Sequence, residues 1–103
     1  RYYLTGAPYA KAHPEVLKVV YEQLEKAGQW VKTNPQDAAK VLGPLWGNLD
    51  AATVEAANAH RSYQVQPVTI DQLREQQKIA DAFFKAGLLP KAVDAKDVET
   101  WKP

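Results

Sequence analysis

The sequence predicts a mainly α chain carrying one short β segment at its N-terminus. Apolar residues recur at three- and four-residue spacing, and each such stretch opens on a capping signal. The aromatic run Arg1-Tyr2-Tyr3-Leu4-Thr5 is β-prone and stops at Gly6 and Pro8, which predicts a strand near residues 2–5. With 103 residues, 46% hydrophobic and 24% charged, the chain has the size and composition of one small globular unit.

Pro14 suits a first helical position, and Leu17, Val20, Leu24, Ala27 and Val31 form one stripe, so the first helix is expected over 14–33. Asn34-Pro35-Gln36-Asp37 repeats the start signal: Asn34 as N-cap, Pro35 in the first turn, Asp37 near the positive end of the dipole. That helix is expected over 35–45, with Ala38, Val41, Leu42 and Leu45 inward and Gly43-Pro44 ending or kinking it. Asp50 caps a third helix over 51–60 carrying Val54 and Ala57. Residues 61–68 alternate Tyr63 and Val65 before Pro67 and read as an extended crossing segment. Thr69-Ile70-Asp71-Gln72 is a capping box opening a fourth helix over 70–86, with Leu73, Ala80, Phe83 and Phe84 on its inner side. Gly87 ends it, and the tail carries Val93, Val98 and Trp101 at spacings suited to anchoring on another surface.

Composition excludes several chemistries. Thirteen Lys and Arg against twelve Asp and Glu leave a net charge of +1, and no run of four like charges occurs, so nucleic acid is not an expected partner. The absence of cysteine removes disulfides, thiolate metal sites and Cys nucleophiles. No apolar stretch is long enough to span a bilayer. The chain starts at Arg1 and contains no methionine, so it is expected to be a piece of a longer polypeptide.

His13 and His60 lie far apart without ligand spacing, and His13 precedes Pro14, where capping is the simpler role. No metal, cofactor or catalytic residue is therefore expected. Glu15, Glu22 and Glu25 read as solvated helix surface, and the five glycines sit singly, forming no phosphate loop. Trp30, Trp46 and Trp101 fit core or tail anchoring better than the lining of a ligand cleft. Arg61-Ser62-Tyr63 is open to two readings: a guanidinium, a hydroxyl and a phenol converging on an oxyanion, or an Arg complementing a helix C-terminus.

Several blocks carry a resemblance to a known family. Tyr2-Tyr3-Leu4-Thr5-Gly6 is followed by Tyr9-Ala10-Lys11-Ala12-His13-Pro14-Glu15-Val16-Leu17-Lys18, then Asn34-Pro35-Gln36-Asp37-Ala38-Ala39 and Leu49-Asp50. Arg61-Ser62-Tyr63, Gln76-Gln77-Lys78-Ile79-Ala80-Asp81-Ala82-Phe83 and Gly87-Leu88-Leu89-Pro90-Lys91 complete the order. In order and spacing the chain resembles the C-terminal portion of aliphatic sulfonate-binding proteins, the solute-binding components of ABC importers. The Arg-Ser-Tyr and Gln-Gln-x-Ile-Ala-Asp-x-Phe blocks are the most specific to the sulfonate branch, while the Pro-Glu-Val start is shared with taurine, nitrate and thiamine-precursor relatives. Tyr9 stands where the family usually has Phe, and Gly43-Pro44 interrupts a helix commonly continuous in relatives.

The resemblance implies part of a two-lobed α/β periplasmic binding protein of type II. Residues 1–6 would be a returning strand, 7–87 a helical part and 88–103 a C-terminal tail of a single unit. It also implies binding without turnover of an alkanesulfonate or related small anion such as taurine, and delivery to a membrane permease. The setting implied is periplasmic or extracellular, with a lipid anchor an option in the parent. The rest of the parent would supply the other lobe. A sulfonate stays ionised and offers acceptor oxygens, so its site needs donors. Arg61 is the candidate charge-assisted donor, Thr5 a hydroxyl or amide donor, and Tyr3 an aromatic wall. The alternatives are a nitrate-type or thiamine-precursor-type member of the same fold, or a free-standing helical interaction module. If the helices lack their sheet, their stripes are left uncovered, and self-association of the chain is expected.

Overall fold

A computed structural model describes all residues, 1–103. It contains five α-helices: α1 (Ala7–Ala12), α2 (Pro14–Thr33), α3 (Pro35–Leu45), α4 (Ala51–Ala59) and α5 (Leu73–Lys85), followed by a single 3-10 turn at Ala95–Asp97. The chain divides into two compact units, one of residues 15–66 and one formed by 1–14 with 67–103.

In the unit of residues 15–66, α2 and α3 keep the predicted bounds and α4 stops at Ala59, one residue early. Pro14 and Pro35 stand in first turns, where a missing N–H costs nothing. Glu15 and Lys32 complement the two ends of the α2 dipole. Asp50 caps α4 as expected: its Oδ1 accepts from the Thr53 N–H at 2.9 Å and its Oδ2 from the Thr53 hydroxyl at 2.6 Å. Asn34 occupies the N-cap of α3 but does not cap it; its Nδ2 donates backwards, to the Trp30 carbonyl and the Thr33 hydroxyl. Pro44 is absorbed in the last turn of α3, so the helix ends at Leu45 instead of kinking. The hairpin of α3 and α4 closes on Ala38, Ala39 and Val54, each no more than 1% exposed. Its turn passes through Gly47 (φ 82°) and Asn48 (φ 59°), the two residue types that best tolerate left-handed backbone.

In the other unit, α5 carries the tail. The capping box forms reciprocally, Thr69 N–H to Gln72 Oε1 at 2.9 Å and Gln72 N–H to Thr69 Oγ1 at 3.4 Å. It encloses a turn at 70–72, so the helix begins at Leu73 and not at residue 70. At the far end Gly87 (φ 76°) donates to the Phe84 carbonyl and Leu88 to the Phe83 carbonyl, the paired bonds of a Schellman motif. Gln77 ties the tail to α5: its Nε2 donates to the Val93 carbonyl at 2.8 Å and its Oε1 accepts from the Ala95 N–H at 2.7 Å. Leu73 and Ala95 are the buried apolar residues of this unit.

Two expectations at the N-terminus are corrected. The strand near 2–5 does not form; residues 1–6 have no regular structure, because no other segment offers them a ladder of backbone partners. The Tyr2 hydroxyl bonds the Gln72 carbonyl at 3.4 Å instead. Gly6 and Pro8, read as a strand stop, start α1: Gly6 is its N-cap and Pro8 lies in its first turn. The helix stripes are left uncovered, as expected of helices without a sheet. Phe83 and Phe84 are 47% and 44% exposed, Val20 is 48% exposed, and of α2 only Gly28 is buried. No tryptophan enters the core: Trp30 is 43% exposed, and Trp46 and Trp101 are half-buried.

Candidate functional site

The site is built on the segment after α4. Residues 61–66 lie along the C-terminal half of α2, where Gly28 has no side chain and the Tyr63 carbonyl takes its place. One helical turn on, the Lys32 ammonium donates to the Arg61 carbonyl at 2.6 Å. Tyr63 stands at φ 52°, a left-handed conformation that an aromatic residue adopts only where its surroundings enforce it. Its phenol donates to Oδ1 of Asn58, and the Ser62 hydroxyl oxygen accepts from the Gln64 N–H at 3.3 Å.

Asn58 is the buried polar residue of α4, 3% exposed, and its Nδ2 has no hydrogen-bond partner. It follows Val54 by four residues and so shares the inward face of α4. Two clefts open in this unit, one of them on Asn58. One of about 290 Å³ is lined by Val31, Lys32, Pro35, Glu55, Asn58 and Ala59. The other, of about 370 Å³, is lined by Gln29, Lys32, Ser62, Tyr63 and Gln64, with Glu25 also on its wall. Lys32 borders both, and an ammonium with three N–H groups retains two after bonding Arg61.

The Arg61 backbone N–H bonds the Asn58 carbonyl just past the end of α4, and its guanidinium lies over the Trp46 ring, 5.7 Å from the centroid. Tyr3 and Thr5 are exposed in the irregular segment of the other unit, Tyr3 at 74%. Within one unit, therefore, the structure gathers Arg61, Ser62 and Tyr63 with Asn58 and Lys32, and Tyr3 and Thr5 belong elsewhere. Sequence reasoning missed Gly28, Lys32 and Asn58. The available signal was Asn58 itself, a polar side chain at an inward position four residues after Val54.

Burial and the neighbouring Glu25 carboxylate raise the Tyr21 phenol above its ordinary value. The Thr53 hydroxyl, followed by its N–H, holds the Asp50 carboxyl below the usual range. His13 stacks on Tyr9 at 4.7 Å, and His60 is the C-cap of α4. No group of three or more His, Asp or Glu residues is arranged to hold a metal ion, and no helix is long and apolar enough to cross a membrane.

The geometry defines a helical chain with a lysine, a buried amide and an arginine-serine-tyrosine corner around small clefts. The chain is similar to a protein of Escherichia coli (strain K12) named "Putative aliphatic sulfonates-binding protein", 26% identical over an alignment of 103 positions that covers 99% of this chain. The chain spans 32% of that relative's length. No family model and no solved structure matches it.

Proposed function

We propose that this chain is the C-terminal portion of a solute-binding protein that captures aliphatic sulfonates for an ABC-type importer, without turnover. The observation that carries the reading is the similarity to a protein named for sulfonate binding, which runs over 99% of this chain. The chemistry of the corner at 61–63 supports it. A sulfonate is a permanent monoanion rich in acceptors, and Lys32, Ser62 and the Arg61 guanidinium are donors gathered in one unit. The remainder of the parent supplies the other wall of the cleft, the permease is the docking partner, and the parent works in the periplasm. Thr5 as a hydroxyl or amide donor and Tyr3 as an aromatic wall are the further candidates for holding the ligand.

The test compares two arginines in the intact polypeptide that carries these residues. Arg61→Ala weakens butanesulfonate binding about 10-fold or more, the value of a hydrogen bond to a charged group. Arg74→Ala, whose guanidinium pairs on the surface with Asp71 at 3.1 Å, changes affinity less than twofold. Equal effects would remove Arg61 from the site.

A further inference from the structure

We infer that the cleft bounded by Asn58 and Lys32 is the seat of a short alkyl monoanion, with the oxyanion at Asn58 Nδ2 and Lys32 and the alkyl chain on Val31, Pro35 and Ala59. The inference rests on the sulfonate reading and goes beyond it, because it adds Asn58 to the residues that hold the head group and assigns a seat to the alkyl chain. Four observations lead to it. A buried amide N–H group without a partner is rare in folded chains and destabilising, and Asn58 Nδ2 is one. Asn58 lines a cleft of about 290 Å³, close to the lower end of the size range of small-molecule sites. Its Oδ1 is already engaged by the Tyr63 phenol, so the side chain is oriented and only the donor end is left. Lys32, on the same cleft, is itself steered by the Arg61 carbonyl and keeps two N–H groups for an incoming oxygen.

The remaining lining sets the ligand class. Val31, Pro35 and Ala59 are apolar and match a hydrocarbon tail. Glu55 borders the cleft as well, and its carboxylate opposes a second negative charge, so a monoanion is accepted where sulfate or another dianion is not. Sulfonates and carboxylates share this head-group chemistry. A sulfonate presents three acceptor oxygens, one more than a carboxylate, to a site with two kinds of donor, and is preferred.

The experiment uses the intact polypeptide and two readouts. Titration with butanesulfonate moves the Asn58 side-chain amide resonances in nitrogen–proton spectra, and calorimetry over methane- to butanesulfonate shows affinity rising about fourfold per methylene until the apolar wall is covered. Butanoate binds more weakly than butanesulfonate, and sulfate does not compete. N58D keeps the acceptor for the Tyr63 phenol but turns the donor into an anion, and lowers butanesulfonate affinity at least 100-fold. Ala59→Leu fills the cleft from an independent position and lowers affinity for butanesulfonate more than for methanesulfonate; it keeps the test decisive should N58D fail to fold. Saturable butanesulfonate binding with unmoved Asn58 resonances and unaffected Ala59→Leu overturns this placement and leaves the sulfonate reading standing. Sulfate binding as tight as butanesulfonate also overturns it. No binding of any alkyl oxyanion refutes both.

Discussion

Replacing Gly28 with alanine tests the physical basis of the site. On helix propensity alone this change stabilises α2 by about 1 kcal/mol. The structure predicts the opposite sign. A Cβ at residue 28 lies inside 3.0 Å of the Tyr63 carbonyl oxygen and 3.3 Å from its carbonyl carbon, a backbone group that has no rotamer with which to retreat. Tyr63 already occupies left-handed backbone, so further adjustment there is strained. Overpacking of this kind costs about 1–3 kcal/mol. If the segment lifts off instead, the Lys32 bond to Arg61 and the Tyr63 bond to Asn58 are lost, at about 0.5–1.5 kcal/mol each. After the gain of about 1 kcal/mol in helix propensity, either route leaves a net loss of up to about 2 kcal/mol. Urea denaturation followed by tryptophan fluorescence measures it, because Trp30 and Trp46 both belong to this unit. Gly6→Ala is the control: its Cβ meets nothing within 4 Å and its φ is −68°, so it is neutral or slightly stabilising. A midpoint for Gly28→Ala at or above that of the unsubstituted chain would refute the packing account.

Further predictions concern the cap, the tail and the open surface. Because the Asp50 carboxyl is held below its ordinary range, its contribution is present above the unfolded carboxylate pKa and disappears as pH falls through the lowered folded value. Asp50→Ala therefore lowers the melting temperature at neutral pH, and the difference from the unsubstituted chain vanishes at strongly acidic pH; a constant difference would contradict it. Gln77→Ala removes both bonds to the tail and raises amide exchange at Ala95 more than 10-fold while α5 stays protected, whereas unchanged exchange would show that the tail is held by other contacts. The 103-residue chain alone, with Val20, Ile79, Phe83 and Phe84 about half exposed, binds an apolar-surface dye and self-associates in light scattering. A dye-negative monomer with a cooperative thermal transition would contradict that expectation.

The helices were legible because their signals are local. Proline in a first turn, the Asp50 cap and the Gly87 terminator act within a few residues, and the bounds of α2 and α3 follow from them. The strand was not legible, because pairing is a property of two segments and Tyr2–Thr5 have no second one. The same limit applies to Phe83 and Phe84: periodicity identifies an apolar face and does not say what covers it. At the candidate site, Arg61-Ser62-Tyr63 stood out by residue type. The parts that Gly28, Lys32 and Asn58 play depend on where residues 61–63 lie along α2 and α4, which a linear pattern does not carry.

The central claim is selective sulfonate capture, and one titration addresses it most directly. Calorimetry on the intact polypeptide with butanesulfonate, taurine, nitrate and sulfate in parallel is predicted to give saturable, single-site binding of the sulfonates and none of sulfate or nitrate. Binding of nitrate alone, or of none of the four anions, would contradict the account.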